Sequence, residues 1–211
     1  MGKHKTKLYP VVTALFLTVG DSLPAVAQTT PEPSETPAIS EPSTGAQIAS
    51  VTQQERLNGM LQELRTASPS DALRLTREIE REWSKSGSTS LDMLLRRGRE
   101  ALEDEEIDVA IGHLTAVTDH APDFAEGWHV RATAFFRKGL YGPALSDLQQ
   151  ALILNPENYN ALFGLGVMFQ EFGDDHRAEQ AFRDVIAINP NHENANTLLE
   201  QLKSKGIGRE L

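Results

Sequence analysis

The sequence predicts an all-α protein, a solenoid of antiparallel helix pairs behind an N-terminal signal peptide and a disordered linker. Three observations predict it. Residue types recur every 34 positions from Leu91 onward, small residues recur where two helices must approach, and a proline closes each unit. The prolines are Pro122, Pro156 and Pro190. The small residues are Ala110, Ala144 and Ala178 in one phase and Gly98, Ala132 and Gly166 in another. Larger apolar residues keep the same step: Leu94, Trp128 and Leu162; Leu114, Leu148 and Phe182; Val117, Ala151 and Val185.

The middle unit explains the residue types. Trp128, Arg131, Ala132 and Phe135 share one helical face, at i, i+3, i+4 and i+7. A break is expected at Gly142-Pro143. Ala144, Leu148 and Ala151 then line a second helix. Small side chains at Ala132 and Ala144 let the two helices close, and a bulky residue there costs about 1–3 kcal/mol. Asn155-Pro156 ends the unit, because proline disfavours helical geometry in the residue before it. This reading gives units at 91–124, 125–158 and 159–192.

The flanks are read in chain order. Lys3, Lys5 and Lys7 precede the apolar run Leu8 to Val19, and Ala25-Val26-Ala27 follows. A basic start, a short apolar middle and small residues around a cleavage site predict a signal peptide over 1–27, cut after Ala27. The run falls short of the ~20 apolar residues that span a bilayer. The stretch from Gln28 to Ser50 holds Pro31, Pro33, Pro37 and Pro42 with few large apolar residues, so 28–50 is expected to be a disordered linker. Residues 51–90 carry two stripes, one of Leu57, Met60, Leu61 and Leu64 and one of Ala72, Leu75, Ile79 and Trp83. They predict a helical hairpin: a degenerate repeat, a cap on the first unit or a separate dimerisation element. Ala72 lies 38 residues before Ala110, so the hairpin is out of step with the repeat. Ala195, Leu198, Leu199 and Leu202 predict a capping helix within 193–211.

These phases resemble the tetratricopeptide-repeat family. Trp128, Ala132, Phe135, Ala144, Ala151 and Pro156 carry the resemblance in one unit, and Gly166, Phe169, Ala178, Phe182 and Pro190 in the next. The first unit departs from it at Ala101, where the family favours an aromatic. The stretch from Trp83 to Phe136 is also similar to a group of uncharacterised exported repeat proteins of Gram-negative bacteria, which together with the signal pattern implies a periplasmic location. The resemblance implies a concave groove lined by the first helix of each unit. Its positions here are Asp92, Leu95, Arg99 and Leu102, then Glu126, His129, Thr133 and Phe136, then Asn160, Phe163, Val167 and Gln170. Family members that clamp a C-terminal carboxylate use lysine and asparagine at such positions, a constellation not found here. Leu95, Leu102, Phe136, Phe163 and Val167 offer an apolar strip instead.

Composition narrows the chemistry. The chain of 211 residues has a formal charge of -10 and no cysteine. Without residues 1–27 it holds 17 basic and 29 acidic residues. Phosphate backbones and anionic lipid repel such a surface, so neither nucleic acid nor membrane is an expected partner. His113 and His120 are seven residues apart on one helix, about 10 Å, too far for one metal ion. The run Glu103-Asp104-Glu105-Glu106 lacks the glycine of a calcium loop, and Gly164-Leu165-Gly166 falls inside a helix, where no phosphate loop forms. No nucleophile–base pair, cofactor motif or metal set is expected. The expected function is a non-enzymatic scaffold in the cell envelope that binds a partner protein or peptide in the groove. A periplasmic assembly factor or chaperone is the alternative, and glycan binding ranks below both.

Overall fold

The structure, a computed structural model, describes the backbone of residues 44–207 and the side chains of 53–205. The expected signal peptide, its cleavage point and the linker up to residue 43 lie outside the described residues. The described residues form α-helices joined by short turns: α1 (Thr44–Leu64), α2 (Pro69–Trp83), α3 (Thr89–Glu103), α4 (Ile107–His120), α5 (Ala125–Arg137), α6 (Tyr141–Leu154), α7 (Tyr159–Glu171), α8 (Asp175–Ile188) and α9 (Glu193–Ile207). The pairs α3–α4, α5–α6 and α7–α8 pack tightly within themselves, and each stacks on the next.

The small-residue phases sit at the pair contacts. Ala110, Ala144 and Ala178 are fully buried. A Cβ built on Gly166 would come 2.5 Å from Cε1 of Phe182, and one on Gly98 would come 2.6 Å from Cγ of Leu114. The second-helix residue of the same unit has taken the space that a side chain would need.

Each first helix ends in the same turn. The Glu106, Leu140 and Asp174 amides donate to the Ala101, Phe135 and Phe169 carbonyls at 2.8 Å. This closure puts the residue before the donor in the left-handed region. Those residues are Glu105 at φ 63°, Gly139 at 77° and Gly173 at 74°. The chain therefore breaks at Gly139 and not at Gly142-Pro143. Pro143 stands in the first turn of α6, where no helical partner awaits its missing N–H. Glu105 bears a steric cost at a turn that glycine makes freely. Glu105→Gly is expected to add about 1 kcal/mol of stability, read as a rise of roughly 2–4 °C in Tm by calorimetry. An unchanged or lower Tm would show that Glu105 makes compensating contacts.

Two expectations about the flanks are corrected. Helix α1 begins at Thr44, seven residues inside the expected linker 28–50. Pro42 is the last proline before it, so nothing after that point removes a backbone donor. The second correction concerns the hairpin α1–α2. Its stripes are buried as expected, and Ser68 caps α2 by accepting from the Asp71 amide. However, α2 does not stack on α3 as a further repeat or cap. Its stripe joins one apolar cluster with Tyr159, Phe182 and Val185 of the third unit and with Ala195, Leu199 and Leu202 of α9. The longer Ser84–Ser88 link allows this. Asp92 holds the link by accepting from the Ser86 amide at 2.7 Å and from its hydroxyl at 2.6 Å.

Candidate peptide-binding groove

Helices α3, α5 and α7 place the groove positions on one face, and the hairpin covers part of that face. The contacts run along its length. The Trp83 and Tyr159 rings lie 5.0 Å apart. The Asn160 amide donates to the Glu80 carboxylate at 2.9 Å, and Arg99 donates to the Ser84 hydroxyl at 2.9 Å. At the far end Arg65 donates to the Ala187 carbonyl at 2.8 Å and pairs with Glu157 at 2.6 Å. Asn191 donates to the Ala67 carbonyl at 3.0 Å.

An ionic network lies beneath the covered part. Glu126 is buried, and its carboxylate takes Arg99 on one oxygen. The other oxygen lies 3.1 Å from His129 Nδ1 and accepts from the Asn158 amide at 3.3 Å. Asn158 also caps α7 by accepting from the Ala161 amide. Burial pushes the Glu126 carboxyl up, but His129 and Arg99 outweigh it and hold the group below the ordinary 4.5.

His192 borders the same region. Its ring stacks 4.9 Å from Phe163, and its Nδ1 accepts from the Ala195 amide at 3.1 Å, which caps α9. A protonated Nδ1 cannot accept. Burial lowers this imidazole below its ordinary 6.5, although its own backbone and Glu80 pull the other way. Both groups are depressed on folding, so the unfolded chain binds protons more readily at either site. The stability these two groups contribute is expected to be full above about pH 6.5, to fall first through His192 and to fall again in the carboxylate range through Glu126. His192→Ser keeps a capping oxygen, and it should flatten the Tm profile between about pH 7 and pH 5. A variant profile that still tracks the parent's would remove His192 as the cause.

The remainder of the groove is open. A cleft of about 350 Å³ lies between α5 and α7, walled by Thr133, Phe136, Phe163 and Val167 and floored by Leu148 behind Gly164. A second cavity of about 460 Å³ adjoins it and shares His129, Thr133 and Asn160. Of the predicted positions, His129, Thr133, Phe136, Phe163 and Val167 come together at the cleft. Arg99 is engaged with Glu126 and Ser84, and Gln170 lies half-buried one turn beyond Val167. Leu95 leaves the expected strip: it is 1% exposed and packs with Val130 and Ala134 in the core of α3–α5. Leu102, 7% exposed, packs in the same core and also lines the second cavity.

Sequence reasoning missed the residues that seat the hairpin, chiefly Glu80, Trp83 and Tyr159. A signal was present. Tyr159 is a large aromatic at the phase held by Leu91 and Ala125 in the other units. Among the described residues no group of three or more histidine, aspartate or glutamate side chains is placed to hold a metal ion.

Paired helices stacked in one direction with a lined inner face define a helical-repeat scaffold. Residues 95–144 and 129–193 match the tetratricopeptide repeat model, and this part of the chain belongs to that family. A TPR repeat-containing protein of Rhizobium etli is 29% identical over 161 residues, covering 76% of this chain and 79% of its own. The TPR domain of Sgt2 from Aspergillus fumigatus aligns with a TM-score of 0.55 at 24% identity, over 58% of this chain and 83% of that one. The first TPR of Spaghetti (RPAP3), solved with the HSP90 peptide SRMEEVD, aligns at 0.52 with 23% identity, over 55% of this chain and 91% of that one. These two likenesses show the fold.

Proposed function

We propose that this protein is an envelope adaptor that holds a short segment of a partner protein in the open half of its groove. The apolar cleft between α5 and α7 carries this reading. Phe136, Phe163 and Val167 leave an unfilled space beside the hairpin, and an exposed threonine at its mouth poses no barrier to entry. A cleft of this size suits one or two large apolar side chains of a bound segment. The lysine start, the apolar run and the Ala25-Val26-Ala27 ending support export to the periplasm.

One experiment tests both parts. A photocrosslinking residue at Thr133 in the full chain should give protein adducts in the periplasmic fraction. The same residue at Gln149, exposed on the second-helix face, should give few. Equal yields at the two positions would sink the groove reading, and adducts confined to the cytoplasm would sink the envelope reading.

A further inference from the structure

We propose that the segment seated in this cleft is cationic, with one large apolar anchor in the cleft and a lysine or arginine within two residues of it. This rests on the groove reading above and adds the partner's chemistry. The cleft itself is apolar, and the cavity that continues it is not. Glu80 and Glu103 line that cavity against one arginine without a carboxylate partner, Arg81, because Arg99 is paired with Glu126. An anchor in the cleft therefore brings its neighbours in the segment over a wall with one carboxylate in excess.

The same sign continues where the cleft reaches the edge of the solenoid. The Phe136 ring meets Tyr141 edge-on at 5.6 Å, and Tyr141 meets Phe172 at 5.3 Å. Apolar surface thus runs unbroken from the cleft to Phe172, which is 58% exposed. Glu171 stands beside it, exposed, while on this edge Lys138 is paired with Asp108 and Arg137 is held on the Leu102 carbonyl. From Asn160 to Phe172 the path along α7 is about 18 Å, enough for five or six extended residues. The groove positions hold no lysine, so an acidic tail like the one carried by the Spaghetti domain finds no matching ammonium here. Opposite charges steer association and select the partner more than they add affinity, and salt screens them.

The test uses the full chain without its first 27 residues and three labelled octapeptides, read by fluorescence anisotropy. One has a central phenylalanine between lysine pairs, the second replaces the lysines with glutamates, and the third replaces the phenylalanine with serine. The first should bind at least roughly tenfold more tightly than either other, a ratio equivalent to 1.4 kcal/mol, and should weaken at about 500 mM salt. Thr133→Trp, which fills the cleft from an exposed position, should abolish that binding. Glu103→Lys combined with Glu171→Lys, both at exposed sites, should erase the preference for lysine over glutamate. Equal or tighter binding of the glutamate peptide would overturn the cationic assignment and leave the cleft reading intact. Binding of the serine peptide that matches the first and ignores Thr133→Trp would overturn the anchor. Silence from all three would overturn the inference, and the Thr133 crosslinking result would then decide the adaptor reading by itself.

Discussion

Asp147→Ala is expected to cost about 3–5 kcal/mol of stability, enough to unfold much of a marginal domain. Asp147 is buried and accepts from Arg131 on both oxygens, Nε to Oδ2 at 2.7 Å and Nη2 to Oδ1 at 2.9 Å. The third guanidinium nitrogen donates to the Thr118 hydroxyl at 2.6 Å. The same cation lies 4.8 Å from the Trp128 ring centre and 5.5 Å from that of Phe135. One arginine thus joins α4, α5 and α6 across a unit boundary. Removing the carboxylate leaves a charge with a side chain only 12% exposed and without its counter-ion. Thermal melts by circular dichroism read the loss directly. Replacing the pair together, Arg131→Met with Asp147→Leu, should recover most of it, because well-packed apolar residues often match a buried ion pair. A melt of Asp147→Ala that overlays the parent's would show that water reaches Arg131.

Trp83→Ala should cost a comparable 3–5 kcal/mol, and its value lies in where the effect falls. Trp83 is 7% exposed and rests on the fully buried Tyr159. If the hairpin is seated on the third unit, amide exchange should quicken around Tyr159 and along residues 188–196, where Asn191 and His192 lie. If it capped the first unit instead, the quickening would appear in α3. Exchange that rises only in α3 would contradict the hairpin's position.

The repeat was legible because each pair contact makes a demand that few residues meet. Only a small residue fits where Phe182 crosses Gly166, so the 34-residue phase appears in the residue types themselves. The hairpin's stripes were legible in the same way, but a stripe records that a face is buried and not what buries it. Leu75 and Ile79 would read alike against α3 or against α9. Leu95 was misplaced for a related reason. Family phase put it at the groove, whereas this first-helix leucine of the opening unit has neighbours in α4 and α5 to bury it. The third left-handed turn was hidden because it carries Glu105 where the other two carry glycine.

The seat of the hairpin also governs the order in which the molecule can assemble. A repeat array grows by contacts between neighbours and can nucleate at any unit. Here Arg65 meets Ala187 across 122 residues, and Asn191 meets Ala67 across 124. Such distant pairings must wait for the chain between them, and they slow folding. Helices α1 and α2 are the first of the described helices to be synthesised and are expected to be the last to find their place, since the surface that receives them is complete only when α7, α8 and α9 have been made. Until then their stripes are exposed, and the growing chain must keep them from other apolar surfaces. The final docking ties both ends of the array together, so the solenoid is expected to gain or lose its structure as a unit and not repeat by repeat.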